Sequence, residues 1–116
     1  MRDDKENVIV KLTFEFALAI IEFSELLEEK RKFVLAKQIL KAGTSIGANV
    51  REAQNAESKN DFIHKLKIAA KEADEVEYFL LLCKFSKNYP YDPLLHDQLV
   101  VIIKILSKII SSSKGY

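Results

Sequence analysis

A chain of 116 residues, 48% hydrophobic and with a net charge of +1, holds enough apolar material for one globular domain over 1–116. That composition excludes a disordered chain, and the single cysteine, Cys83, excludes an internal disulfide framework. No apolar run reaches the roughly 18 residues of a membrane span, and the opening MRDDKENV is too polar for a secretory signal, so a reducing, cytoplasmic setting with no membrane partner is expected.

Three glycines and two prolines leave long stretches without a breaker, which predicts few and long helices. The first is expected over about 5–29 and the second over about 32–57. Ser58 precedes Asp61 in an S-x-x-D start signal, predicting a third helix over about 59–86. Asn88 and Pro90 then stop the helix. Asp92-Pro93 sets a capping residue before a first-turn proline, predicting a fourth helix over about 93–111 with a frayed SSSKGY tail. Short connections between helices of similar length predict an all-α, up-down-up-down antiparallel four-helix bundle. The β-branched runs at 8–10 and 100–103 also read as strands, but apolar residues continue around them at helical spacing.

Charge is unevenly spread. Residues 1–29 carry three basic and eight acidic side chains, whereas residues 30–59 carry seven basic and two acidic ones. Antiparallel neighbours built from these halves pair charges across their surface, and a symmetric oligomer instead gathers an acidic and a basic zone.

The first helix carries two apolar stripes when residues are placed about 100° apart. The broad one includes Leu12, Phe16, Ile20, Phe23 and Leu27, and the second holds Val10, Phe14, Ala17 and Ile21. A bundle buries one stripe per helix, so the second predicts a subunit interface and a self-associating protein. Apolar residues of the fourth helix, from Leu94 to Ile110, cover about half its circumference, wider than the ~100° stripe of a surface helix. A single broad core is the plainer account of both. In the second helix, Gly43 and Gly47 each cost about 1 kcal/mol relative to alanine, which close approach of a neighbouring helix offsets.

Glu77 falls within an apolar face that includes Leu66, Ala69, Ala73, Val76 and Leu80. A carboxylate there needs donors, and Ser45, Asn49 and Thr13 are the expected ones, making Ser45, Asn49 and Glu77 a candidate buried polar contact. Other chemistry is sparse. Asp61-x-x-His64 has the spacing of a di-iron helix, but the second such motif and the further carboxylates are missing, so no metal or cofactor is expected. Both histidines, His64 and His96, fall on polar arcs and are expected in solvent. Cys83 has no histidine near it in sequence and reads as an ordinary thiol. The sequence holds no phosphate loop, H-E-x-x-H or G-x-S-x-G, and Arg51 lacks the following histidine of the helical ribonucleases. No catalytic residue is assigned.

SIGANVREA at 45–53 and the run at 61–80 together resemble the signature of the bacterial four-helix-bundle proteins named for the intervening sequences of 23S rRNA genes. The resemblance extends over about 8–110. It implies that fold, ring-like homopentamers, a polar residue at the positions of both Asn49 and Glu77, and no established enzymatic role. A related retroelement accessory protein works with a reverse transcriptase and RNA. The expected function is a non-enzymatic oligomeric adaptor that binds RNA, DNA or a nucleic-acid-processing protein. Its basic helix surface would be Lys30, Arg31, Lys32, Lys37 and Lys41. The near-neutral charge tells against strong nucleic-acid binding and leaves a protein-only scaffold as the alternative.

Overall fold

Asn7 starts the first helix by accepting, through its side-chain oxygen, the Val10 amide at 3.4 Å. That satisfies one of the amides a helix start leaves without an internal partner. The computed structural model describes residues 7–114 and carries four helices: α1 (Val8–Glu29), α2 (Phe33–Ala53), α3 (Lys59–Phe85) and α4 (Pro93–Lys114). No strand occurs among the described residues, so both β-branched runs are helical.

Each remaining boundary has a local cause. α1 closes in a double turn: the Lys32 amide donates to the Leu27 carbonyl at 2.8 Å and the Arg31 amide to Glu28 at 2.9 Å, with Arg31 at φ 65°. α2 ends four residues before the expected Glu57, because the amides of Gln54, Asn55 and Ala56 each bond three residues back and tighten the last turn. The Gln54 side chain is drawn inward as well, donating to Val50 at 3.1 Å and accepting from Asn7 at 2.8 Å. Ser58 caps α3 by accepting the Asp61 amide at 3.0 Å. Asp92 caps α4 by accepting the amides of Leu94 and Leu95. α4 runs through the serines to Lys114 instead of fraying after residue 111. The expected start of the first helix at Lys5, and Gly115 and Tyr116 of the tail, lie outside the described residues.

Each helix packs on the next, and α1 meets α4 to close the set around one core, in a body 47 × 22 × 21 Å across. Phe16, Ile20, Ile39, Ile46, Leu66, Leu80, Leu99 and Leu106 are fully enclosed, and each such side chain contributes about 1.5–3 kcal/mol by leaving water. α1 and α2 approach most closely at the two glycines. A Cβ on Gly43 would stand 2.7 Å from Ile20 Cγ2, and one on Gly47 3.2 Å from the Thr13 carbonyl oxygen. Close backbone approach is therefore what the glycines provide, as their cost within a helix requires. Ser24 Oγ donates to the Ala36 carbonyl at 3.0 Å across the same seam.

Candidate functional site

Surface chemistry gathers in three places, each positioned by a different pair of elements. Along the α1–α2 seam, the second stripe of α1 is only partly covered. Phe14 is 59% and Ile21 40% exposed, while Val10 and Ala17 are half-buried. Val10, Phe14 and Ala17 face Thr44, Gly47 and Ala48 across a groove of about 200 Å³, with Arg51 at its margin. The groove exists because the glycines draw the two backbones together and the residues beside them are small. A single broad core accounts for Phe16, Ile20, Phe23 and Leu27 and for the inner side of Val10, and leaves Phe14 and Ile21 exposed.

The second place lies at one end of the fold. The connection 30–32 and the connection 86–92 meet there, and Lys30, Lys32, Asn88, Tyr89 and Pro90 line a common cleft. The Lys32 ammonium stands 4.7 Å from the centre of the Tyr89 ring. Lys84 lies 5.5 Å from the Phe85 ring and 5.7 Å from that of Tyr91. Lys30, Arg31, Lys37 and Lys41 are exposed. The last two sit farther along the outer face of α2, where Lys41 lies near Glu72. The five basic residues singled out by sequence therefore divide into an end group and a flank group. Arg31 occupies a left-handed position that usually takes glycine, at a cost of about 1–2 kcal/mol for a residue with a Cβ. Arg31→Gly is accordingly expected to raise stability by about 1 kcal/mol, read as a higher urea midpoint. A lower midpoint would mean that the arginine side chain stabilises the turn.

The third place is a hydrogen-bonded chain between α3 and α4, and it corrects the sequence reading of Glu77. That carboxylate does not meet helix α2. Its side chain is 33% exposed and its Oε2 lies 3.2 Å from His96 Nε2, whose Nδ1 lies 2.8 Å from the Tyr91 hydroxyl. In the neutral imidazole this fixes the tautomer: Nε2–H donates to Glu77 and the tyrosine O–H donates to Nδ1. The residue sits at the edge of the α3 apolar face, where α4 delivers a donor from its first turn. Ser45 and Asn49 are instead occupied within α2, Ser45 Oγ donating to the Lys41 carbonyl at 2.8 Å and Asn49 to the Ser45 carbonyl at 2.9 Å. Thr13 likewise donates to its own helix, at Ile9. His96 is thus largely enclosed, at 13% side-chain exposure, and only His64 stands in solvent as expected. Among the described residues, the buried side-chain hydrogen bonds that join two helices or their ends include Asn7 with Gln54 and Ser24 with Ala36.

Cys83 is wholly enclosed, and burial pushes its thiol up to about 11, so it stays protonated and unreactive at neutral pH. Glu72 is raised by burial first and by neighbouring Glu75 second. Lys65 and Glu52 join α3 to α2 at 3.0 Å in an exposed pair of small energetic weight. No group of three metal-ligating side chains occurs among the described residues, and no described helix is long and apolar enough to cross a membrane.

The sequence profile of the 23S rRNA-intervening sequence protein family matches residues 5–111. This chain belongs to that family. A crystal structure from Bacteroides thetaiotaomicron, of a protein with unknown function from the S23 ribosomal protein family, is 43% identical to it. The match covers 92% of this chain and 98% of that one, with a TM-score of 0.85. Among curated proteins nothing matches. The solved relative shares the helical fold and is itself of unknown function, so family membership brings no activity with it.

The sequence offers Tyr78, Tyr89 and Tyr91 as stacking rings near polar positions but does not place Tyr89 beside Lys30 and Lys32, as the structure does. The signal was present in part, as Lys84, Phe85, Lys87, Tyr89 and Tyr91 interleave cations and rings. Only the folded chain brings that run against the connection 30–32.

Proposed function

We propose that this chain is a non-enzymatic adaptor of the cytoplasm that self-associates through Val10, Phe14, Ala17 and Ile21 and offers its basic surface to nucleic acid. One observation carries the reading: an apolar stripe stands uncovered beside a core that is already closed. A second copy of the chain is the natural cover, and a five-fold ring is the expected assembly for a member of this family. The up-down-up-down antiparallel arrangement belongs to the same proposal. It is supported by the short connections and by the meeting of Asn7, at the head of α1, with Gln54, just past the end of α2. Replication by symmetry would turn a modest basic surface into a multivalent one, which raises avidity through effective concentration.

Anisotropy of labelled structured RNA and duplex DNA, at low and moderate salt, tests the nucleic-acid part. Binding is expected at low salt, falling steeply as salt rises. Lys37→Glu with Lys41→Glu is expected to weaken it, because both cations are exposed on the α2 flank. A protein-only scaffold is the second reading, favoured by the exposure of Phe33, Val34 and Phe85. It is the one that survives if no binding occurs at low salt.

A further inference from the structure

The end of the fold where the connections 30–32 and 86–92 meet holds a different kind of surface from the α2 flank. Lys30 and Lys32 line it, and Arg31, Lys84 and Lys87 lie in or next to the same two connections, against the carboxylates of Glu28, Glu29 and Asp92. Asp92 is already engaged by the amides of Leu94 and Leu95. Aromatic rings are set among the cations, and all three lysine–ring contacts of the described residues occur here. Tyr89 lines an open cleft between Lys30, Lys32 and Pro90, while the rest of the ring packs on the core. Asn88, beside it, is held in the left-handed region at φ 67°, a conformation asparagine tolerates. The ring is therefore anchored against the core, half-buried, with the Lys32 ammonium over its face at the cleft.

The geometry points to this end as a grip for single-stranded nucleic acid, with a base stacked on Tyr89 and the surrounding lysines on the flanking phosphates. Duplex phosphates need cations alone, because paired bases keep their faces covered. Rings interleaved with cations suit unpaired bases, whose faces are free to stack. A face that already attracts the Lys32 ammonium is electron-rich, and displacement by a base leaves that ammonium beside the next phosphate. An acidic peptide would meet the same lysines and make no use of the tyrosine ring. This inference rests on the nucleic-acid reading above, and moves the principal contacts from the flank of α2 to the two connections.

The test is anisotropy of a labelled oligo(U) and of a labelled duplex, using the full chain. Tyr89→Ala is expected to weaken oligo(U) binding roughly 5- to 150-fold, the range that base stacking supplies, and to leave duplex binding unchanged. Tyr89→Phe keeps the ring and is expected to bind oligo(U) like wild type. Lys30→Ala with Lys87→Ala is expected to make the dependence of binding on salt shallower by about 0.7 for each lysine removed. Circular dichroism checks the fold of each variant. If Tyr89→Ala loses helix, the lysine pair, both exposed, decides the matter. Wild-type oligo(U) binding by a folded Tyr89→Ala, or an unchanged salt slope in the lysine variant, overturns the grip. If Lys37→Glu with Lys41→Glu then abolishes binding, the flank version of the nucleic-acid reading stands without it. Absence of wild-type binding to either probe at low salt overturns both.

Discussion

Gly43→Ala is expected to destabilise the fold, although alanine is the better helix former. The exchange gains about 1 kcal/mol in helix propensity. Against that, the new methyl would lie 2.7 Å from Ile20 Cγ2 and 2.8 Å from Cγ1. Ile20 is fully enclosed and its β-branched side chain is stiff at χ1, so it cannot swing away. A clash this close on a side chain that cannot move falls at the upper end of the overpacking range, about 2–3 kcal/mol, leaving a net loss of about 1–2 kcal/mol for alanine and more for valine. For a domain near this size that lowers Tm by roughly 4–12 °C. Gly43→Ala with Ile20→Ala should cost less than the sum of the single changes, since each relieves the other. An unchanged or raised Tm in Gly43→Ala would show that α1 and α2 are not clamped at this point.

The second large effect concerns assembly. Phe14→Glu with Ile21→Glu places two carboxylates on the uncovered stripe of α1. Both positions are open in the single chain, so each protomer is expected to keep its helix content. In an interface, the same two charges lose water without gaining a partner. Breaking or stranding a buried charge costs about 3–5 kcal/mol, enough to raise the dissociation constant more than roughly 100-fold. Light scattering should find species smaller than the wild type. A double variant with wild-type mass would remove this stripe from the interface.

What the sequence made legible was local. Ser58 and Asp61, and Asp92 before Pro93, fixed two helix starts because a cap is an affair of three or four neighbouring residues. The glycine pair announced a close helix contact because its cost within a helix needs an offset. Glu77 was misjudged for the opposite reason. Helical spacing placed it on the apolar face, and the donor that meets it, His96, comes from another helix and from a turn that folds back on Tyr91. Asn7 and Gln54 escaped notice because their contact joins two helix ends far apart in sequence. The uncovered stripe was readable as a second period on α1. Its neighbours Thr44, Gly47 and Ala48 required the packed pair.

Self-association is the claim on which the rest depends, and the mass of the wild-type protein in solution tests it most directly. Sedimentation equilibrium over a wide concentration range is the measurement. A dominant species several times the 13.3 kDa protomer, with five copies expected, is the predicted result. A mass of 13.3 kDa at every concentration would contradict the account, because the stripe of Val10, Phe14, Ala17 and Ile21 would then face water with no partner of its own kind.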